Sequence, residues 1–127
     1  MSYKFVIDSS VWIEYFGGTL KSEAVKTAIE QEDIATSIIA IVEIADKFER
    51  EKRSLNIFLD YISRRSEIIS LTMSIARKAA VIKQEIRATS KKFGIADAIH
   101  LATATYLNTV LVTADSDFRG IKNVEII

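Results

Sequence analysis

Four acids in this sequence stand where a carboxylate is costly unless something compensates it. Asp8 ends the run Tyr3-Lys4-Phe5-Val6-Ile7, and Asp115 follows Val110-Leu111-Val112-Thr113. Asp97 lies among Ile95, Ala96, Ala98, Ile99, Leu101 and Ala102. Glu43 is the one ionisable residue in the stretch from Ile38 to Ala45. A carboxylate in such surroundings must be paired, protonated or bound to metal. Packed together the four repel: a like-charged pair at about 4 Å costs about 4 kcal/mol at an effective dielectric near 20. One or two divalent cations remove that penalty, activate a water and stabilise a phosphoryl transition state. Plainer readings stand beside this one. Asp8 and Asp115 can be ordinary helix caps or turn formers, and Asp97 and Glu43 can be paired structural acids. Agreement among the four placements favours the metal.

The elements that position these acids follow from apolar periodicity and capping signals. Residues 3–8 read as a strand, and Ser9 or Ser10 caps a helix running through Phe16. Gly17-Gly18 breaks it, and Thr19 caps the next helix, which runs to about Gln31. Residues 34–36 form a brief strand, and Thr36 or Ser37 caps a helix over 38–51 whose first half is apolar nearly all round. A helix over 55–65, a strand over 68–71 and a long helix over 73–90 follow, with Ile75, Ala79, Ile82 and Ile86 inward. The turn Lys91-Lys92-Phe93-Gly94 leads into a helix that Asn108 ends, then the strand 110–113 and an edge strand over 124–127. Strands alternating with helices imply an α/β fold with a mainly parallel sheet covered on both faces.

In that topology Asp8 and Asp115 sit at the carboxyl ends of parallel strands, on one rim of the sheet. Asp97 occupies the first turn of its helix, where the macrodipole favours an anion. That start shares the rim if the helix runs antiparallel to the strand it precedes. Glu43, two turns into its helix, reaches the rim only from the inner side.

Composition narrows the chemistry. The 127 residues suit one compact domain, 1–127, without an internal repeat. No apolar run approaches the roughly 20 residues of a membrane span, and the opening residues do not read as a signal peptide, so a cytoplasmic location is expected. Without cysteine there are neither disulfides nor thiolate metal sites, and a single histidine rules out a histidine-rich zinc site. Any metal must be held by oxygens, which favours magnesium or manganese. The 17 basic and 17 acidic residues cancel, which argues mildly against a nucleic-acid binder. The basic clusters Lys47-Arg50-Lys52-Arg53, Arg64-Arg65 and Lys91-Lys92 read first as solvated helix faces.

Other residues have two readings each. Trp12, Tyr15 and Phe16 share one helical face and serve either the core or a surface for a second subunit or partner peptide. His100 has no nucleophile–base arrangement around it and is expected to be a core or rim histidine. Ser10 near Asp8 and Thr113 two residues before Asp115 can assist the acids or simply cap and pair.

With these residues in view, the chain resembles PIN-domain ribonucleases, and more narrowly the VapC toxins of prokaryotic toxin–antitoxin pairs. The resemblance rests on Val6-Ile7-Asp8-Ser9-Ser10-Val11, Glu43 in the third helix, Asp97-Ala98 after Gly94, and Thr113-Ala114-Asp115-Ser116-Asp117-Phe118. Each motif alone is weak; the ordered set, spanning essentially the whole chain, is specific. It implies a three-layer α/β/α fold and a magnesium- or manganese-dependent endoribonuclease. By that analogy Asp8, Glu43, Asp97 and Asp115 form the acidic pocket that holds one or two ions, with Asp117, Ser10 and Thr113 in support. It further implies a homodimer and a cognate antitoxin lying over an apolar groove at Trp12, Tyr15 and Phe16. Two rival readings remain: a phosphatase-like enzyme with Asp8 as nucleophile, for which no convincing phosphate-gripping residue is found, and a non-catalytic RNA- or protein-binding module whose acids are structural.

Overall fold

A computed structural model of the chain describes residues 2–127. Strands β1 (Phe5–Ile7), β2 (Ile34–Ser37), β3 (Ser66–Ile69), β4 (Val110–Thr113) and β5 (Val124–Ile126) form one sheet in the order β3-β2-β1-β4-β5. Every neighbouring pair is parallel, so all the carboxyl ends share one rim. Helices α1 (Ser9–Gly17), α2 (Glu23–Gln31), α3 (Ile38–Arg50), α4 (Asn56–Arg65), α5 (Met73–Arg87) and α6 (Ile95–Tyr106) complete the fold. Among the described residues, no helix is long and apolar enough to cross a membrane.

Alternation along the strands sorts the core into two sides. Phe5 and Ile7 of β1 join Ile34 and Val112 beneath Trp12, Ile29, Ile44, Phe48 and Ile62 of the first four helices. Val6, between them, joins Ala35 and Leu111 on the opposite face, under Ile75, Ala79 and Ile82 of α5 and Ala98, Leu101 and Ala102 of α6. The fold is thus a three-layer α/β/α sandwich. Its central strands are buried on both faces, which is why they read as continuous apolar runs.

Several local expectations shift. Asp8 itself caps α1, its carbonyl oxygen accepting from the N–H groups of Val11 and Trp12. That shortens the first strand and leaves Ser9 and Ser10 inside the helix. Gly18, at φ 75°, closes α1 in the left-handed conformation that glycine adopts without strain. Ser22, rather than Thr19, caps α2, its Oγ accepting from the Val25 N–H, while the Thr19 N–H bonds back to the Glu14 carbonyl at the end of α1. β3 begins at Ser66, two residues earlier than the apolar run suggests, and pairs there with Ile34. The strand ends at Ile69, two residues short of the expected Leu71, and Thr72 Oγ1 then caps α5 by accepting from the Ile75 N–H. The first half of α3 is less enclosed than its composition suggests: Val42 is exposed.

Candidate metal centre

The path from sequence to site starts at β1. Asp8 follows the last buried residue of that strand, and its N–H bonds to the Val112 carbonyl of β4. Asp8 is buried, its side chain only 6% exposed, and both carboxylate oxygens are engaged. Oδ1 accepts from the Ser9 N–H at 2.7 Å; Oδ2 accepts from the hydroxyls of Thr113 at 2.6 Å and Ser10 at 3.1 Å. Each hydroxyl has one proton, and both protons serve Asp8. The oxygens then accept in turn: Ser10 from the Ala114 N–H, Thr113 from the Asp115 N–H. These two side chains therefore tie the end of β4 to the end of β1 through the carboxylate.

Glu43 reaches the same place from α3. Its Oε1 accepts from the Ser9 hydroxyl at 3.0 Å and from His100 Nε2 at 2.7 Å. His100, on α6, is 1% exposed, and its Nε2 also lies 3.5 Å from Asp8 Oδ1. Burial works against charging the imidazole, but the hydrogen bond to Glu43 and the charges of Asp8, Glu43 and Asp97 outweigh it and raise its pKa. For Glu43, burial alone would raise the carboxyl; the bond to His100, its charge and the Ser9 hydroxyl lower it instead. Both shifts favour an imidazolium–carboxylate pair. His100 is thus buried, as expected, but it is bonded to the acids rather than isolated from them. Asp97 and His100 are three residues apart on one helix, so i, i+3 spacing is the signal that places them together.

Asp97 closes the first turn of α6, with Oδ2 accepting from the Gly94 N–H at 3.1 Å. Burial raises its carboxyl; the Gly94 bond pulls it down, but the charges of Asp115 and Asp8 push it up again, and the net shift is upward. Asp115 follows β4 and caps the 3-10 turn Ser116–Phe118, accepting from the Asp117 N–H at 2.8 Å. Asp117 enters through that backbone N–H.

The donor set fits a hard divalent cation. Asp8, Glu43 and His100 each offer a ligand atom within 4.8 Å of the others. Of these the carboxylates are the better ligands, because His100 Nε2 is committed to Glu43 and is favoured in its charged form, which has no lone pair to give. Oxygen-only coordination suits magnesium or manganese.

The remaining candidates fall elsewhere. Trp12 is fully buried and donates its indole N–H to Thr36, so it belongs to the core rather than to an open groove. Tyr15 and Phe16 are half-buried and stack among Phe58 and Tyr61 of α4. Burial and hydrogen bonds to Tyr61 and Glu30 push the Tyr15 hydroxyl above its usual range. The basic cluster on α3 is largely neutralised by Lys47–Glu51, Arg50–Asp46 and Arg53–Glu51 pairs. Arg65 binds the carbonyls of Ile29 and Glu32 at the end of α2. Lys91 and Lys92 are exposed in the turn before Gly94.

A three-layer α/β/α protein with an acidic cluster on the carboxyl rim of a parallel sheet is the class these features define. The model of the PIN domain matches residues 5–124, and the chain belongs to that family. Among solved structures it is similar to a toxin–antitoxin complex from Klebsiella pneumoniae, with TM-score 0.72 and 25% identity over 96% of this chain and 95% of that one. It is also similar to VapBC2 from Rickettsia felis bound to a DNA fragment from their promoter, at TM-score 0.78 and 19% identity over 97% and 96%. VapBC-5 from Mycobacterium tuberculosis, a member of the VapBC family of toxin–antitoxin systems, gives TM-score 0.68 and 19% identity over 100% and 98%. The last two likenesses show the fold alone. No curated protein sequence matches the chain significantly.

Proposed function

We propose that this chain is the toxin component of a VapC-like toxin–antitoxin pair, a single catalytic domain that hydrolyses RNA phosphodiester bonds with magnesium or manganese. The observation that carries the reading is the meeting of Asp8, Glu43 and His100, whose ligand atoms lie within 4.8 Å of one another in a PIN-family fold. The raised carboxyl of Asp97, to which the charges of Asp115 and Asp8 contribute, supports placing those acids nearby. Glu43 touches the Asp8 corner through His100 and Ser9, and on this reading Asp97 and Asp115 complete the pocket. Bound there, one or two ions supply Lewis acidity: a water acidified into a nucleophile, and charge stabilisation for the phosphoryl oxygens.

The chain's own residues do the rest. Thr113, Ser10 and the Ser9 N–H hold Asp8 in one rotamer, so the site needs little reorganisation to bind an ion. Asp97 stands at the positive end of the α6 dipole, yet burial and like charges leave it short of compensation, which favours a cation.

The partners follow from the same reading. An antitoxin segment lies over Tyr15 and Phe16 of α1 and the neighbouring Phe58 and Tyr61, beside the exposed Ile57 of α4. That the similar structures belong to toxin–antitoxin systems supports an antitoxin partner. The protein acts in the cytoplasm as a homodimer.

The test is cleavage of a mixed RNA pool, with and without magnesium or manganese, by the wild type and by Asp8→Asn and Asp97→Asn. Metal-dependent cuts should fall by on the order of 10²–10³-fold in either variant, the usual loss when one electrostatic contact to a transition state is removed. Full activity in both folded variants rejects the proposal.

A further inference from the structure

Glu43 is the odd member of the acidic group. Asp8 is held by backbone and hydroxyl groups at the strand end, Asp97 by its own helix turn, and Asp115 by its own loop. Glu43 instead extends from the second turn of α3, and its side chain is 38% exposed. A long, partly exposed side chain loses rotamer freedom when it is fixed in one place. What fixes it is His100 Nε2 at 2.7 Å, with the Ser9 hydroxyl at 3.0 Å on the same oxygen. Among the described residues no group donates to Glu43 Oε2, since both bonds go to Oε1.

His100 is a strange residue for that part of the core on stability grounds alone. It is buried among apolar α6 neighbours, and its Nδ1 is a buried polar atom with no hydrogen-bond partner among the described residues. An unpartnered buried nitrogen destabilises a fold, whereas an apolar side chain of similar size does not. The imidazole therefore makes sense through its other nitrogen, which touches Glu43 and lies 3.5 Å from Asp8.

We propose that His100 is a positioning residue: its Nε2–H fixes Glu43 by Oε1 beside Asp8 and leaves Oε2 free for the ion. The inference rests on the metal-dependent reading above and assigns to the pocket a member outside its acids. Orientation of a carboxylate ligand by an outer hydrogen bond is a general device, and its loss typically weakens metal binding by roughly 10–100-fold.

The deciding experiment measures manganese affinity from the electron paramagnetic resonance signal of free Mn2+, with circular dichroism confirming the fold of each variant. His100→Met should weaken binding by roughly 10–100-fold. His100→Gln should weaken it far less, because a glutamine amide nitrogen reaches about as far as Nε2 and still donates to Glu43. In a Glu43→Gln background, His100→Met should add almost nothing, since the residue acts through Glu43. A purely structural role predicts the opposite: Gln and Met equally damaging, or losses that add in the Glu43→Gln background. Nitrogen hyperfine coupling to the bound Mn2+ would make His100 a direct ligand and overturn the proposal. If His100→Met fails to fold, His100→Gln alone decides: near-native affinity supports the positioning role, and a loss as large as that of Glu43→Gln overturns it. Wild type that binds no manganese refutes the metal-dependent function itself; wild type that binds while His100→Met binds equally refutes only the inference.

Discussion

The acidic rim has two corners, built differently. At one, Asp8 and Glu43 are surrounded by donors: the Ser9 N–H, three hydroxyls and the His100 imidazole. At the other, Asp97 and Asp115 each accept a backbone N–H from their own turn, and no cationic side chain pairs with them among the described residues. The directions of the carboxyl shifts follow this division, downward for Glu43 and upward for Asp97. One corner is a preorganised anchor and the other is an unmet negative charge. On the proposed reading, the second corner would attract a cation and the first would position it.

The comparison can be tested most strongly by filling the site. Manganese or magnesium at a hundredfold excess over Kd should stabilise the chelated protein by about 2.7 kcal/mol, or roughly 10 °C in Tm. Asp97→Asn should lose most of that gain. Thermal melts with and without metal check it, and an identical gain in the variant would remove Asp97 from the site.

A smaller effect addresses the anchored corner. Thr113→Val keeps the shape but deletes the 2.6 Å hydroxyl bond to Asp8, along with the acceptor for the Asp115 N–H. Loss of stability should be about 2 kcal/mol, the range for a buried hydrogen bond to a charged group. A urea midpoint unchanged from wild type would show that Asp8 does not depend on that hydroxyl.

The smallest effect is in pH, where the corners carry opposite signs. Glu43 is lowered, so its contribution is present above its ordinary value of about 4.5 and is lost as pH falls through the lower folded value. His100 is raised, so its contribution is full below about 6.5 and is lost as pH rises through the higher folded value. The pair thus stabilises most between those two limits. Asp97 is raised, so its contribution is full below about 3.8 and is lost as pH rises, leaving a net burden near neutrality. In chelator, Asp97→Asn should match wild type in acid and become the more stable protein towards pH 7. Denaturation midpoints across pH decide it, and a variant less stable at every pH would mean that Asp97 is not under charge strain.

Much of the fold was legible because its signals are local. A cap at Thr36 or Ser37, a helix stop at Gly17-Gly18 and the apolar runs of β1 and β4 announce themselves within a few residues, and the structure selects Ser37 and Gly18. Boundaries went astray where the local signal was ambiguous: Asp8 is claimed by α1 rather than by β1, and β3 starts at the polar Ser66 and ends at Ile69 although the apolar run reaches Leu71. Among site residues, Asp8, Asp97 and Asp115 stand out as acids beside apolar runs at element ends. Trp12 did not reveal its side, because a helical face rich in aromatics reads alike whether it meets the core or a partner; only the buried indole bond to Thr36 separates the two.

The sequence by itself determined the alternation of strands and helices, the oxygen-only chemistry open to a chain without cysteine, and the acids available for it. Tertiary structure decided which groups meet: Ser9, Glu43 and His100 come from three helices 34 and 57 residues apart along the chain, yet they share a single carboxylate oxygen. It also decided which acids are compensated, since that depends on donors brought across the rim by the parallel sheet. The physical reason is one of range. Periodicity and capping act over a few residues along the chain, whereas the energy of a buried charge is set by whatever lies within a few ångströms of it in space.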